Sequence, residues 1–434
     1  MTTSPRRALP LLAGLAAALV LAFAATAPAQ ERPPRPEARA WVLVDATDSE
    51  RLAGRGISSQ RAIASTTKLM TAYLALRELP LDKALTAPDY QPSSPLESLA
   101  GLAPGERMAV RDLLHALLLA SANDAAVTLA EGVSGSVPRF VREMNKAAAA
   151  LGLTGTHYEN PIGLDSAGNY STAEDLAALT LRLRRDPVFR RIVDAPDAVL
   201  KTGDHTRQIA NRNLLVSKVP WVNGVKTGHT VAAGDVLVGS GTRKGATLVS
   251  VVLGAPSESA RDEGTLELLD YGFSLYHREA PVRQGERVAS PDLKYQGATL
   301  PLVARRGVTV GVRRGERVDT SVRAPGEVEG PIERGERLGE VTVSVDGREA
   351  GTVPVVAARA ADEASFLEQA RGRYAGVAIL IAIGAAGVIL IGLVVIRRAR
   401  GRRRRSSEER MRSYEERMQR RERQTVPEHE AERP

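Results

Sequence analysis

Apolar and polar positions alternate in blocks along this chain, and the period within the blocks changes with position. Residues 41–44, Trp-Val-Leu-Val, form a short unbroken apolar run ahead of a polar stretch at 45–56, the pattern of a strand entering a turn. Apolar positions at helical spacing predict helices over residues 65–76, 110–119 and 137–151, with Ala-rich faces suited to close packing. After Trp221 the pattern turns strand-like. Residues 236–238 and 248–253 predict a strand pair flanking a Gly-rich turn at 239–245, and a last helix follows over 257–276. Strand, helical middle, strand pair and final helix together predict an α+β domain over residues 40–278, an antiparallel sheet covered by helices.

From about residue 280 the texture changes to short Val-rich runs punctuated by three Gly-Glu-Arg repeats, at Gly285, Gly315 and Gly335. This predicts a small all-β domain over residues 280–358. Its clearest piece is a hairpin, 339–345 and 348–356, joined by Asp346-Gly347, which suits the positive φ angles of a two-residue turn. No catalytic cluster shows in this region. Residues 361–374 predict a helix that continues into the uncharged apolar stretch 375–396, about the 20 residues a helix needs to cross a bilayer.

Charge fixes an expected topology. Seven arginines stand within residues 397–405, and such a cluster stays on the cytoplasmic side of a membrane. Residues 397–434 hold 14 Arg against 8 Glu, so this tail carries +6 of the net +8 and the remainder is near neutral, which argues against a nucleic-acid partner. The tail from 406 to 424 alternates Glu and Arg at helical spacings, as a solvated helix or a disordered segment would. At the other end, Arg6 and Arg7, an apolar run at 9–25 and Ala27-Pro28-Ala29 predict a secretory signal over residues 1–29, followed by a Pro-rich linker at 30–39. The expectation is a single-pass membrane protein with its folded part outside. The chain has no cysteine, which excludes thiol catalysis and cysteine-ligated zinc, and its six histidines show no paired metal-ligand spacing. No cofactor or metal is expected.

Three short motifs carry candidate chemistry. Ser65-Thr66-Thr67-Lys68 opens a predicted helix, where residues three apart share a face, so a lysine amine can take the serine proton. A helix N-terminus there also favours developing negative charge. Alone, the pair fits equally a serine N-cap and a surface lysine. Ser121-Ala122-Asn123 lies between helical segments and can project two polar groups, although by itself it reads as a polar helix break. Lys-Thr-Gly occurs twice, at 201–203 and 226–228. The first sits in a polar stretch with no strand predicted after it. The second leads through Gly234 into a strand, so its backbone can pair with an extended substrate, and Lys226 is taken as functional.

With these motifs in this order, residues 38–277 resemble the D-alanyl-D-alanine carboxypeptidases, the low-molecular-weight penicillin-binding proteins with the serine β-lactamase-like fold. Supporting phrases are Ser-Ala-Asn-Asp-Ala-Ala-Val at 121–127, Asn160-Pro161-Ile162-Gly163-Leu164, Tyr170-Ser171-Thr172 and Lys226-Thr227-Gly228-His229-Thr230. The β-rich region resembles that family's extra C-terminal domain. The resemblance implies Ser65 as nucleophile, Lys68 as its general base and Ser121 as a proton relay. It implies that Asn123 holds the substrate amide, that the backbone N–H groups of Ser65 and His229 form the oxyanion hole, and that Gly228 belongs to the binding strand. Thr227 and Arg212 match positions that hold the substrate's terminal carboxylate. Lys226, a like charge, would depress the Lys68 pKa, with burial adding to it. The substrates implied are peptidoglycan stem peptides and the inhibitors β-lactams. Endopeptidase or transpeptidase chemistry at the same serine, or a catalytically impaired wall-binding scaffold, are the alternatives. Two residues depart from the family pattern, Ala122 in place of a usual Gly and Asn169 in place of a common His.

Overall fold

The structure, a computed structural model, describes residues 32–423. The expected export signal at 1–29 lies outside the described residues. They form two compact units, the first carrying the chain up to Val282 together with segments 308–320 and 343–351.

The first unit is built on a five-stranded antiparallel sheet of β1 (Ala40–Asp45), β2 (Arg51–Arg55), β3 (Val222–Thr230), β4 (Gly234–Arg243) and β5 (Ala246–Ala255), in the order β2-β1-β5-β4-β3. Both faces are covered, which is why β1 reads as a continuous apolar run and not as an alternation. Val42 and Val44 face one core with Val249, Val251 and Leu253, and Trp41 and Leu43 face another with Leu248 and Val252. The first core is closed by helices α1 (Lys68–Glu78), α2 (Val110–Leu118), α3 (Asn123–Ser134), α4 (Val137–Ala150) and α5 (Ala173–Leu183). The second is closed by α6 (Glu258–Ser274) through Leu268, Leu269 and Phe273. Ser257 caps α6 by accepting from Ala260 N.

The Gly-rich segment 239–245 is not a turn through its length. Strand β4 runs to Arg243, and only Lys244 and Gly245, both at positive φ, make the reversal. Gly239 and Gly241 are glycines because a Cβ would lie 2.6 Å from Thr265 Cγ2 and 2.9 Å from the Trp221 ring, so they mark close approach within a strand. Strand β3 is the sheet edge opposite β2, which leaves one side of its backbone without a strand partner.

In the β-rich region after Val282 a hairpin pairs Arg337–Val345 with Arg348–Ala357, and Asp346 and Gly347 take φ values of 47° and 75°, as the Asp-Gly signal predicts. The C-terminal helix α7 (Phe366–Arg423) starts later than residue 361, because Ala361 forms a β-bridge with Ile332. A capping box sets the start: Glu368 accepts from Ser365 N at 2.8 Å while Ser365 Oγ accepts from Glu368 N at 3.4 Å. From Gly376 this helix is long and apolar enough to cross a membrane, with mean hydropathy 3.1 over its most apolar window.

Candidate active site

Ser65 sits in a 3-10 turn, Ala64–Thr67, that runs directly into α1, so Lys68 is the first residue of that helix. Lys68 Nζ lies 3.0 Å from Ser65 Oγ and donates to Ile162 O at 2.6 Å, and its side chain is fully buried. A neutral amine has one lone pair, and with a proton committed to Ile162 that lone pair is free to accept from the serine hydroxyl. Asn160 holds the carbonyl in place: its Oδ1 accepts from Gly163 N at 2.6 Å, while Thr71 of α1 ties down Pro161 O at 2.7 Å. Gly163 stands at φ +88°, where a Cβ would come within 2.0 Å of Ala64 O. Ala64 itself and Ser121 occupy left-handed conformations, φ 47° and 62°, costing about 1–2 kcal/mol each for residues with a Cβ.

Electrostatics favour the neutral amine. Burial is the largest influence pushing the Lys68 pKa well below its usual value, and Lys226 is second. Lys226 is itself buried on β3, donates to Thr227 O at 2.9 Å, and is pushed down to about 7 by burial and by the cations Arg212 and Arg261. It is therefore only in part a like charge near neutrality. Gly228 follows on the same strand, where a Cβ would lie 2.8 Å from Ser65 N, so the Lys-Thr-Gly glycine is what lets the strand edge reach the serine. His229 is exposed and its Nδ1 is 3.3 Å from Asp235 Oδ2, while Thr227 is buried.

Ser121 and Asn123 are buried at the entry to α3. The next residue, Asp124, accepts from Ala100 N, Gly101 N and Leu102 N at 2.9, 2.9 and 3.0 Å and pins a loop across this turn. Arg212 is exposed between two buried asparagines: Asn211 donates to Ala195 O at 2.9 Å and Asn213 to Gly224 O at 2.8 Å. Its own Nε donates to Ala120 O at 3.1 Å, beside Ser121. Arg212 also lowers both lysine pKa values, which puts it in the same electrostatic neighbourhood.

The first Lys-Thr-Gly lies elsewhere. A strand does follow it, contrary to expectation, because residues 201–203 open the loop 201–206 between the paired strands Asp197–Leu200 and Arg207–Ala210. Asp112 accepts from Lys201 N and Thr202 N at 2.9 and 2.7 Å, and Glu106 clamps Arg207 at 2.7 and 2.8 Å, so the turn is a structural hairpin. Of the two departures, Asn169 donates to Thr67 Oγ1 at 3.2 Å, next to the motif serine's turn, and Ala122 is buried ahead of α3. Among the described residues no cluster of His, Asp or Glu could hold a metal.

Sequence reasoning missed Glu97, whose Oε2 accepts from Asn123 Nδ2 at 2.7 Å. Its segment reads as a Pro- and Ser-rich loop with no motif. Asp124 was legible in principle as an acid in the first turn of a helix.

Residues 26–257 match the D-alanyl-D-alanine carboxypeptidase family and residues 276–363 the penicillin-binding protein 5 C-terminal domain. The chain is 30% identical to the Bacillus subtilis D-alanyl-D-alanine carboxypeptidase DacF over 76% of its own length and 87% of that relative. It is 31% identical to Escherichia coli DacC over 82% and 93%. A crystal structure of penicillin-binding protein 5 from Haemophilus influenzae aligns at 28% identity and a TM-score of 0.54, covering 77% of this chain and all of that one. This chain thus belongs to the D-alanyl-D-alanine carboxypeptidase family, joined to a penicillin-binding protein 5 type C-terminal domain.

Proposed function

We propose that Ser65 is the nucleophile with which this serine-type D-alanyl-D-alanine carboxypeptidase removes the terminal D-alanine of peptidoglycan stem peptides. The observation that carries this is the 3.0 Å approach of a fully buried lysine amine to Ser65 Oγ. Lys68 takes the hydroxyl proton as Ser65 Oγ attacks the carbonyl carbon of the penultimate D-alanine. The oxyanion is held by the backbone N–H groups of Ser65 and His229. Collapse breaks the peptide C–N bond, and the proton passes from Lys68 through Ser121 to the leaving amine. Water then attacks the ester carbonyl carbon, giving up a proton to Lys68, and the bond to Ser65 Oγ breaks as Lys68 returns that proton to Oγ. Asn123 holds the substrate amide, and Thr227 and Arg212 hold the terminal carboxylate, to which a guanidinium fork is suited. Strand β3, with an open edge, pairs with the extended peptide.

The catalytic unit spans 40–278, the β domain 280–358 and the membrane anchor 375–396, with the tail 397–434 cytoplasmic. What supports this orientation is the arginine cluster directly after the apolar stretch. The test is release of D-alanine from a pentapeptide stem by the full-length protein, with mass spectrometry after penicillin treatment. The expected result is turnover, loss of turnover in Ser65→Ala, and an adduct on the peptide containing Ser65. Turnover that persists in Ser65→Ala, or an adduct elsewhere, overturns the assignment.

A further inference from the structure

Four donors converge on one carboxylate beside the candidate site. Glu97 Oε1 accepts from Ser93 N at 2.7 Å and Ser93 Oγ at 2.6 Å, and Glu97 Oε2 accepts from Asn123 Nδ2 at 2.7 Å and from the Tyr90 hydroxyl. The loop is tied down on either side: Asn123 N donates to Ser98 O at 2.7 Å, and Asp124 accepts from Ala100 N through Leu102 N. A primary amide can be seated in either of two flips, and its neighbours decide which. A carboxylate can only accept, so Glu97 obliges Asn123 to turn its Nδ2 towards it. That leaves the second N–H for a substrate carbonyl and Oδ1 for a donor.

We propose that Glu97 is a positioning residue for the carboxypeptidase reaction, fixing the flip of the Asn123 amide that holds the substrate. The inference rests on the reading of Asn123 given above. Tyr90 and Ser93 are the brace that holds the carboxylate at the right place. Glu97 stays ionised throughout the working range, since these hydrogen bonds outweigh burial, which acts the other way, and hold its pKa down to about 2. Its charge also bears on Lys68. The groups facing that amine are Lys226 and Arg212, which lower its pKa, and Glu97 and Asp124, which raise it.

Glu97→Gln is the informative change, because it keeps the size and removes the ability to accept on both arms. Whichever way the new amide turns, its NH2 meets a donor-only group, Ser93 N on one arm or Asn123 Nδ2 on the other, since only the Ser93 and Tyr90 hydroxyls can reverse and accept. The expected result is a kcat/KM for a pentapeptide stem lower by about 10- to 100-fold, the range of one hydrogen bond to a charged group. The acid limb of the pH profile should move to lower pH, since an anion beside Lys68 is gone. Glu97→Asp keeps an acceptor-only group and should recover part of the loss. Combined with Asn123→Ala, Glu97→Gln should add little, because the residue through which it acts is already missing. Additive losses in the double variant, an unmoved acid limb, or activity within twofold of the parent at equal thermal stability would each overturn the proposal. Ser65 acylation by penicillin in the parent protein reports the nucleophile independently, so failure here is separable from failure of the Ser65 assignment.

Discussion

Replacing Lys226 by Met should make this protein more stable and much less active. Lys226 is 1% exposed, and its pKa falls from 10.5 to about 7. In the unfolded chain the amine keeps its proton up to about pH 10.5, and in the folded chain only up to about pH 7. Between those values the unfolded state holds more protons, so the parent's stability rises with pH across that window, and below pH 7 the whole penalty is present. At about 1.4 kcal/mol per unit, a shift of this size amounts to about 5 kcal/mol. Methionine fills a similar volume without a charge, but it abandons the bond to Thr227 O, at a cost of about 1–3 kcal/mol for an unsatisfied buried carbonyl. The net expectation is a gain of about 2–4 kcal/mol at pH 7 and below, shrinking and then changing sign by about pH 10.5. Urea unfolding of the full chain followed by tryptophan fluorescence measures this directly. Both tryptophans, Trp41 and Trp221, lie in or against the core under α6, so the signal belongs to the catalytic unit. Penicillin acylation of the same variant should fall by orders of magnitude. A variant less stable than the parent at pH 7, or a difference that does not change between pH 7 and 10, would refute the reasoning that a buried cation is held here for chemistry.

Lys201→Ala, in the other Lys-Thr-Gly, should leave acylation unchanged and stability within about 0.5 kcal/mol, as expected for a surface turn whose backbone does the bonding. Arg212→Ala should weaken hydrolysis of acid-terminated peptides more than of amidated ones, by about 1.5–3 kcal/mol in transition-state binding; equal losses on both would make Arg212 structural. Gly228→Ala forces a methyl against Ser65 N at 2.8 Å and Val236 Cγ2 at 2.9 Å, and should cost about 1–3 kcal/mol of stability together with most of the acylation rate. Protease added to intact spheroplasts should digest the region around Ser65 and spare an epitope placed after Pro434; a protected Ser65 region or an accessible C-terminus would reverse the orientation.

What the sequence could reveal was limited by how far each interaction reaches along the chain. The helix carrying Lys68 and the Asp346-Gly347 turn were legible because each depends on residues a few positions apart. Gly239 and Gly241 misled for the opposite reason: they are set by Thr265 and Trp221, which only the fold brings near. The later start of α7 was signalled locally by Ser365 and Glu368, yet the apolar pattern alone ran past it. The site divides along the same line. Ser65 and Lys68 share one turn, and Lys226 through Gly228 share one strand, so their motifs survive in linear order. Glu97 reaches Asn123 from 26 residues upstream, out of a loop whose composition signals only irregular structure. Burial as the main influence on Lys68 is likewise a property of the helices packed against one face of a sheet, and no spacing between motifs records it. A scan for S-x-x-K, S-x-N and K-T-G therefore finds residues that stand close together along the chain and misses Glu97, which only the fold brings to Asn123.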